Sequence, residues 1–125
     1  MHLAYWMILA AGVLPHLTIF LVKRAGSPDF DNHRPRAWLE NLSGWRQRGD
    51  WAHRNHLEVF PLFAAAVFVA ELTQAPQERI DLLAVGFVAV RILYTGLYLA
   101  DLATLRSIVW SLGFAVTVWL FVLGV

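Results

Sequence analysis

The sequence contains no cysteine among its 125 residues. Disulfide bonds, thiolate metal sites and a cysteine nucleophile are therefore excluded. Any sulfur chemistry that the protein carries out has to use a sulfur atom supplied by a ligand.

Charged residues are scarce as well. They make up 15% of the sequence, against 58% for hydrophobic residues, whereas soluble domains contain roughly 25% charged residues. The formal net charge of +1 gives no indication of nucleic acid as a partner. The composition instead predicts a membrane protein surrounded by lipids.

Long apolar runs indicate how the chain crosses the membrane. The runs 3–22, 82–100 and 108–125 are each long enough to span a hydrocarbon core of roughly 30 Å. A fourth run reaches spanning length only if its polar first turns are included. We therefore predict an all-α membrane protein, a single domain over 1–125 that forms a four-helix transmembrane bundle, with helices at about 3–23, 51–72, 79–100 and 105–124.

The first apolar run does not have the pattern of a cleaved export signal. No basic segment precedes it, and it continues into Lys23 and Arg24 rather than into a small-residue cleavage site. We expect it to remain as the first helix.

A polar loop is predicted at about 24–50, between the first two helices. It carries five arginines, whereas the connection at 72–78 carries none and is followed by Arg79 alone. The positive-inside rule places the loop in the cytoplasm and both termini on the other side. Residues 26–29 predict a turn, and residues 35–42 predict a short interfacial helix with Trp38 at headgroup depth.

The second predicted helix begins with polar residues. Arg54 and Glu58 are four residues apart, which predicts an ion pair between them, and Asn55 falls on nearly the same face. A charged side chain near the centre of a membrane helix costs roughly 2.5–3.5 kcal/mol. Such residues indicate a function or a buried partner.

The third and fourth helices add polar side chains at the same side of the membrane. Arg91, Tyr94 and Tyr98 follow helical spacing, and Arg91 lies far enough inside its run to face the bundle interior. Arg106 and Ser107 open the fourth helix. The predicted cluster on the cytoplasmic side consists of Arg54, Asn55, Glu58, Arg91, Tyr94, Tyr98, Arg106 and Ser107.

Structural roles are alternatives for parts of this cluster. Glu58 and Arg91 could form a buried ion pair that only fixes helix register, and the tyrosines could be interfacial anchors. His53 and His56 could bind haem or a metal ion. No second pair of histidines lies at a matching depth, so neither haem nor metal is expected.

These residues are also compatible with two other classes of function. One is a small proton-coupled transporter in which Glu58 carries the proton. The other is a non-catalytic binding or assembly protein whose polar cluster only holds subunits together.

The cluster resembles that of the MAPEG family, the membrane-associated proteins in eicosanoid and glutathione metabolism. The resemblance covers nearly the whole chain. Residues 31–36 and the run at 60–67 resemble a bacterial branch of the family. It implies a multi-pass protein of a bacterial inner membrane, with the long loop and the site facing the cytoplasm. The matching residues are Ala52-His53-Arg54-Asn55 with Glu58, then Arg91 with Tyr94 and Tyr98, then Arg106 with Ser107.

The family resemblance also implies an assembly and a ligand. Members are homotrimers that bind glutathione, their co-substrate, between neighbouring subunits. Arg106 and Ser107 would be catalytic, with Arg106 stabilising the glutathione thiolate for attack on a lipophilic electrophile, as in glutathione transferases and peroxidases. The residues that would bind glutathione are Arg54, Asn55, Glu58, Arg91, Tyr94 and Tyr98. Arg24, or Lys23 beside it, is a looser match.

Three features depart from the prostaglandin-synthase branch of the family. Trp51 stands where that branch has an arginine, and Trp110 stands where it has a tyrosine. The stretch from Tyr98 to Arg106 is also slightly shorter. These departures bear on catalysis more than on the fold.

Overall fold

The computed structural model describes residues 1–24 and 29–125, and all regular structure within them is helical. Four of the helices are long and apolar enough to cross a membrane. The predicted all-α transmembrane bundle is thus confirmed. The helices are α1 (Leu3–Arg24), α2 (Pro35–Glu40), α3 (Gly44–Leu72), α4 (Gln77–Leu99) and α5 (Ala103–Val122).

The start of α3 differs most from the predicted helix bounds. It begins at Gly44 rather than near residue 51, so the last part of the predicted loop is helical. Glycines and charges in this segment favoured a loop, but tertiary contacts stabilise the helix. Gly49 and Asp50 are buried, and Nη2 of Arg48 donates a hydrogen bond to the Leu99 carbonyl at 3.0 Å.

The connection between α1 and α3 contains the short helix α2. It covers most of the predicted interfacial helix, and the Trp38 ring packs edge-on against Phe30 with centroids 5.0 Å apart. The turn predicted at 26–29 lies outside the described residues except for Asp29, which is in a turn.

The two ends of the bundle differ in chemistry. We call the end where α1 finishes, α3 begins and α4 passes into α5 the cluster end, and the opposite end the terminal end. The 29 residues of α3 correspond to about 43 Å of helix, against roughly 30 Å of hydrocarbon. Because the apolar part of α3 lies towards Leu72, its polar first turns extend past the hydrocarbon at the cluster end.

The helices α3 and α4 form the middle of the bundle. α1 and α5 each pack on both of them, and these two outer helices, which the structure describes throughout, do not pack on each other. Phe63 of α3 stacks on Phe87 of α4 with ring centroids 3.9 Å apart. Alanines fill much of the remaining core, and such small residues allow close helix approach in membranes.

Polar contacts at the terminal end hold the start of α1. An Asp81 carboxylate oxygen accepts a hydrogen bond from the Ala4 amide at 2.9 Å. His2 Nδ1 lies 3.1 Å from a carboxylate oxygen of Glu71. At the other end of the chain, Gly124 lies directly beside Thr73, in the turn between α3 and α4. Residues 2 and 124 therefore lie close to the same turn.

Candidate functional site

Arg91 is the centre of the candidate site. Its side chain projects from α4 into the bundle and the residue is 2% exposed. Nη2 donates a hydrogen bond to Asn55 Oδ1 at 2.8 Å, and Nε lies 3.2 Å from His56 Nδ1. The guanidinium carbon is 4.1 Å from the centroid of the Tyr94 ring. A permanent positive charge is thus held inside the bundle.

The partners of this buried cation are neutral. Within the residues that the structure describes, Arg91 forms no ion pair with a carboxylate. Glu58 is exposed and accepts a hydrogen bond from Asn55 Nδ2 at 3.2 Å. Asn55 thus links the cation to the carboxylate without direct contact between the charges. The alternative of a buried Glu58–Arg91 pair is not what the structure contains.

A cavity of about 200 Å³ adjoins the guanidinium. One wall is polar and carries Asn55, Glu58 and Arg91, and the rest is mostly apolar. Such a space suits a ligand with a charged part and an apolar part. The remaining lining residues are Val59, Leu62, Phe87, Trp110, Gly113, Phe114 and Thr117.

A second cavity of about 260 Å³ lies around Arg106. Cζ of Arg106 is 4.3 Å from the centroid of the Tyr98 ring, and Tyr98 meets Tyr94 edge to face at 5.5 Å. Trp110 lines both cavities. The other lining residues are Tyr94, Ser107 and Ser111.

The comparison with family models agrees with this fold. A model described as the MAPEG family matches residues 3–125. The chain belongs to the MAPEG family. Membership supports a membrane function related to glutathione or eicosanoids in general. No curated protein and no solved structure matches the chain significantly.

This MAPEG protein does not form the ion pair predicted between Arg54 and Glu58. Arg54 Nη2 pairs instead with Asp50 Oδ2 at 3.0 Å. The reason is the early start of α3, which places Asp50 one helical turn before Arg54 on the same helix. Arg54 lines neither of the two cavities.

The remaining predicted site residues divide into two groups. Arg24 is exposed at the end of α1, 5.6 Å from the Phe20 ring centroid, and lines neither cavity. Ser107 is exposed and lines the second cavity beside Arg106. The structure therefore brings together Asn55, Glu58, Arg91, Tyr94, Tyr98, Arg106 and Ser107.

His56 and Thr95 belong to the site although sequence reasoning did not select them. His56 was considered only as a haem or metal ligand, and instead it contacts Arg91 and Thr95. Among the described residues, no group of three or more His, Asp or Glu side chains is placed to hold a metal ion. The sequence shows that His56 directly follows Asn55, but it does not show which residues of α4 His56 contacts.

Proposed function

We propose that this MAPEG protein binds glutathione at the Arg91 cavity and activates its thiol for attack on a lipophilic electrophile. The observation that carries the proposal is the buried Arg91 guanidinium, whose contacts in residues 1–24 and 29–125 are with neutral partners. A buried charge is costly unless a counter-charge and hydrogen bonds compensate it. His56 and Asn55 supply hydrogen bonds, and an anionic ligand would supply the counter-charge.

The charges of glutathione suit the polar wall of this cavity. The tripeptide has two carboxylates and one ammonium group at neutral pH. Nε and Nη2 of Arg91 already contact His56 and Asn55, so Nη1 is the nitrogen that would donate to a carboxylate. The exposed carboxylate of Glu58 offers a partner for the ammonium. Both residues line the same cavity, which supports a zwitterionic ligand over a simple anion.

The dimensions of the cavity support an assembly. Its volume of about 200 Å³ is below the roughly 300–1,000 Å³ typical of ligand sites. Glu58 is exposed on the part of α3 that spans the hydrocarbon, where an uncovered charge is costly. A homotrimer in which the neighbouring subunit covers this face would complete the pocket and shield this charge from lipid.

Arg106 is the proposed thiolate-stabilising residue, with Ser107 beside it. A free thiol has a pKa near 8.5 and is only a few per cent ionised at pH 7. Lowering that pKa by about two units requires roughly 2.7 kcal/mol of differential stabilisation. The Arg106 guanidinium, held over the Tyr98 ring, is suited to supply it. The thiolate would then attack an electrophile arriving from the bilayer.

The proposal includes an orientation. The cluster end faces the cytoplasm of a bacterial inner membrane, where glutathione is available as a co-substrate. The arginines of the connection between α1 and α3 and of the first turns of α3 support this orientation.

Calorimetric titration of glutathione into the protein in lipid nanodiscs tests the binding site. We expect saturable binding that Arg91→Leu weakens by about 10- to 100-fold, since a charged hydrogen-bonded contact contributes roughly 1.5–3 kcal/mol. The control is Arg79→Leu, an exposed arginine at the terminal end of the same helix. Equal affinity in both variants would place glutathione elsewhere.

A non-catalytic binding or assembly protein is the second candidate function. It is favoured by Trp110, which lines both cavities where the prostaglandin-synthase branch has a tyrosine. An indole ring supplies no hydroxyl group to a reaction there. Glutathione binding without thiolate absorbance, and without loss of any electrophile, would support this function. Thiolate absorbance that disappears in Arg106→Ala would support catalysis. A transporter would instead show proton-coupled flux in vesicles that Glu58→Gln abolishes.

A further inference from the structure

Arg91 is the start and the end of a closed ring of hydrogen bonds. Its guanidinium nitrogens Nε and Nη2 lie 3.2 and 2.9 Å from His56 Nδ1. His56 Nε2 lies 2.8 Å from Thr95 Oγ1. The Thr95 hydroxyl donates to the backbone carbonyl of Arg91 at 2.9 Å. The side chain of Arg91 is thus tied, through two residues, to its own backbone.

The direction of each bond follows from what the groups can donate. A guanidinium has donors only, so His56 Nδ1 has to accept and carries no proton. The Thr95 hydroxyl proton is used on the Arg91 carbonyl, so Thr95 Oγ1 accepts from His56 Nε2–H. Every contact in the ring is therefore satisfied by a neutral His56 with its proton on Nε2.

His53, one helical turn earlier on α3, requires the opposite arrangement. Its Nδ1 lies 2.7 Å from the Pro15 carbonyl oxygen. A carbonyl oxygen can only accept, so the proton of His53 is on Nδ1. The two histidines differ in the nitrogen that carries the proton, and this difference can be observed.

We propose that His56 is a positioning residue that aims the Arg91 guanidinium into the ligand cavity. His56 is 2% exposed and does not line that cavity, so it acts through Arg91 rather than on the ligand. An arginine side chain has many rotamers, and fixing one before binding removes an entropic cost from the binding step. The positioning claim concerns the free protein, and its effect on affinity rests on the proposed function.

The first test requires no ligand. Nitrogen NMR of ¹⁵N-histidine-labelled protein in nanodiscs distinguishes protonated from unprotonated ring nitrogens. We expect His56, assigned by the signal lost in His56→Asn, to carry its proton on Nε2, and His53 to carry it on Nδ1. A proton on Nδ1 of His56 at neutral pH would overturn the proposal whether or not glutathione binds.

The second test separates the acceptor from the ring that carries it. His56→Asn keeps an acceptor oxygen near the position of Nδ1, whereas His56→Phe keeps the ring and removes the acceptor. We expect the Arg91 Nε–H resonance to remain protected from exchange in wild type and His56→Asn, and to lose protection in His56→Phe. We expect glutathione affinity to fall at least about tenfold in His56→Phe and to recover largely in His56→Asn.

The two readouts distinguish the possible failures. Equal loss of Nε–H protection in both folded variants would show that ring volume rather than the acceptor holds Arg91, and would overturn the proposal. If wild type shows the expected tautomer and protection but binds no glutathione, the positioning role holds and the proposed function fails. Thermal unfolding of each variant confirms that it is folded.

Discussion

At the scale of single residues, the Arg54–Asp50 ion pair joins two side chains in different surroundings. The Asp50 side chain is 4% exposed and the Arg54 side chain is 55% exposed. Removing the arginine would leave a buried carboxylate without its partner, whereas Asp50→Asn would remove the buried charge itself. The two halves of the pair are therefore not equivalent in their contribution to stability.

We expect Arg54→Ala to lower the free energy of unfolding more than Asp50→Asn does, by roughly 1–3 kcal/mol. Denaturant unfolding of the detergent-solubilised protein measures the difference. In the double variant the extra cost of Arg54→Ala should disappear. A larger loss for Asp50→Asn would mean that Asp50 stabilises the fold through contacts other than Arg54.

The contact between Arg106 and Tyr98 leads to a second prediction. We expect Tyr98→Leu to reduce the proposed formation of the glutathione thiolate several-fold, because a cation over an aromatic face gains roughly 0.5–2 kcal/mol. Tyr98→Phe keeps the ring and should stay close to wild type. The ultraviolet absorbance of bound glutathione measures both. An equal loss of thiolate absorbance in Tyr98→Phe would show that the hydroxyl group of Tyr98, rather than its ring, is required.

The sequence was informative about faces of single helices and uninformative about contacts between them. Helical spacing alone predicted that Arg91, Tyr94 and Tyr98 share a face, and their rings and guanidinium are in contact in the structure. The contact of Arg91 with His56 depends on how α3 and α4 are rotated and aligned. No residue pattern within one helix specifies that alignment.

At the scale of helices, an apolar run in the sequence predicts the part of a helix that lies in the hydrocarbon, and not the full length of the helix. The bounds of α1, α4 and α5 could be predicted because these helices end near the edge of their apolar runs. The first turns of α3 lie beyond that edge. They are stabilised by the packing of Gly49 on Val22 of α1 and by the hydrogen bond from Arg48 to the Leu99 carbonyl at the end of α4. One consequence was the wrong partner for Arg54, since Asp50 was taken as part of a loop.

Close packing of α1 on α3 at Gly49 leads to a prediction about helix contacts. A Cβ atom at Gly49 would overlap Cγ2 of Val22, whereas a Cβ at Gly96 of α4 would meet nothing within 4 Å. We expect Gly49→Ala to lower the melting temperature by separating the two helices. Gly96→Ala should be neutral or stabilising, because alanine favours helix by roughly 1 kcal/mol over glycine. If Gly49→Ala melted at the wild-type temperature, α1 would be able to move away from α3 without loss of stability.

At the scale of the whole molecule, the lack of cysteine makes the membrane orientation simple to measure. Single cysteines can be introduced at the exposed positions Asn41, Gln74 and Thr104, and each would be the only thiol in the chain. We expect an impermeant maleimide to label Gln74→Cys in intact cells, and the other two only after the membrane is opened. The reverse pattern would place the cluster end outside the cytoplasm.

The neighbourhood of residues 2 and 124 has a consequence for chain connectivity. His2 contacts Glu71 and Gly124 lies beside Thr73, so a short linker could join the two positions next to the turn between α3 and α4. Reopening the chain between α1 and α2 would then give a circular permutant that ends with α1 and crosses the membrane in the same directions. We expect such a permutant to keep the packing of α1 on α3 and α4, because these contacts do not depend on the place of α1 in the chain order.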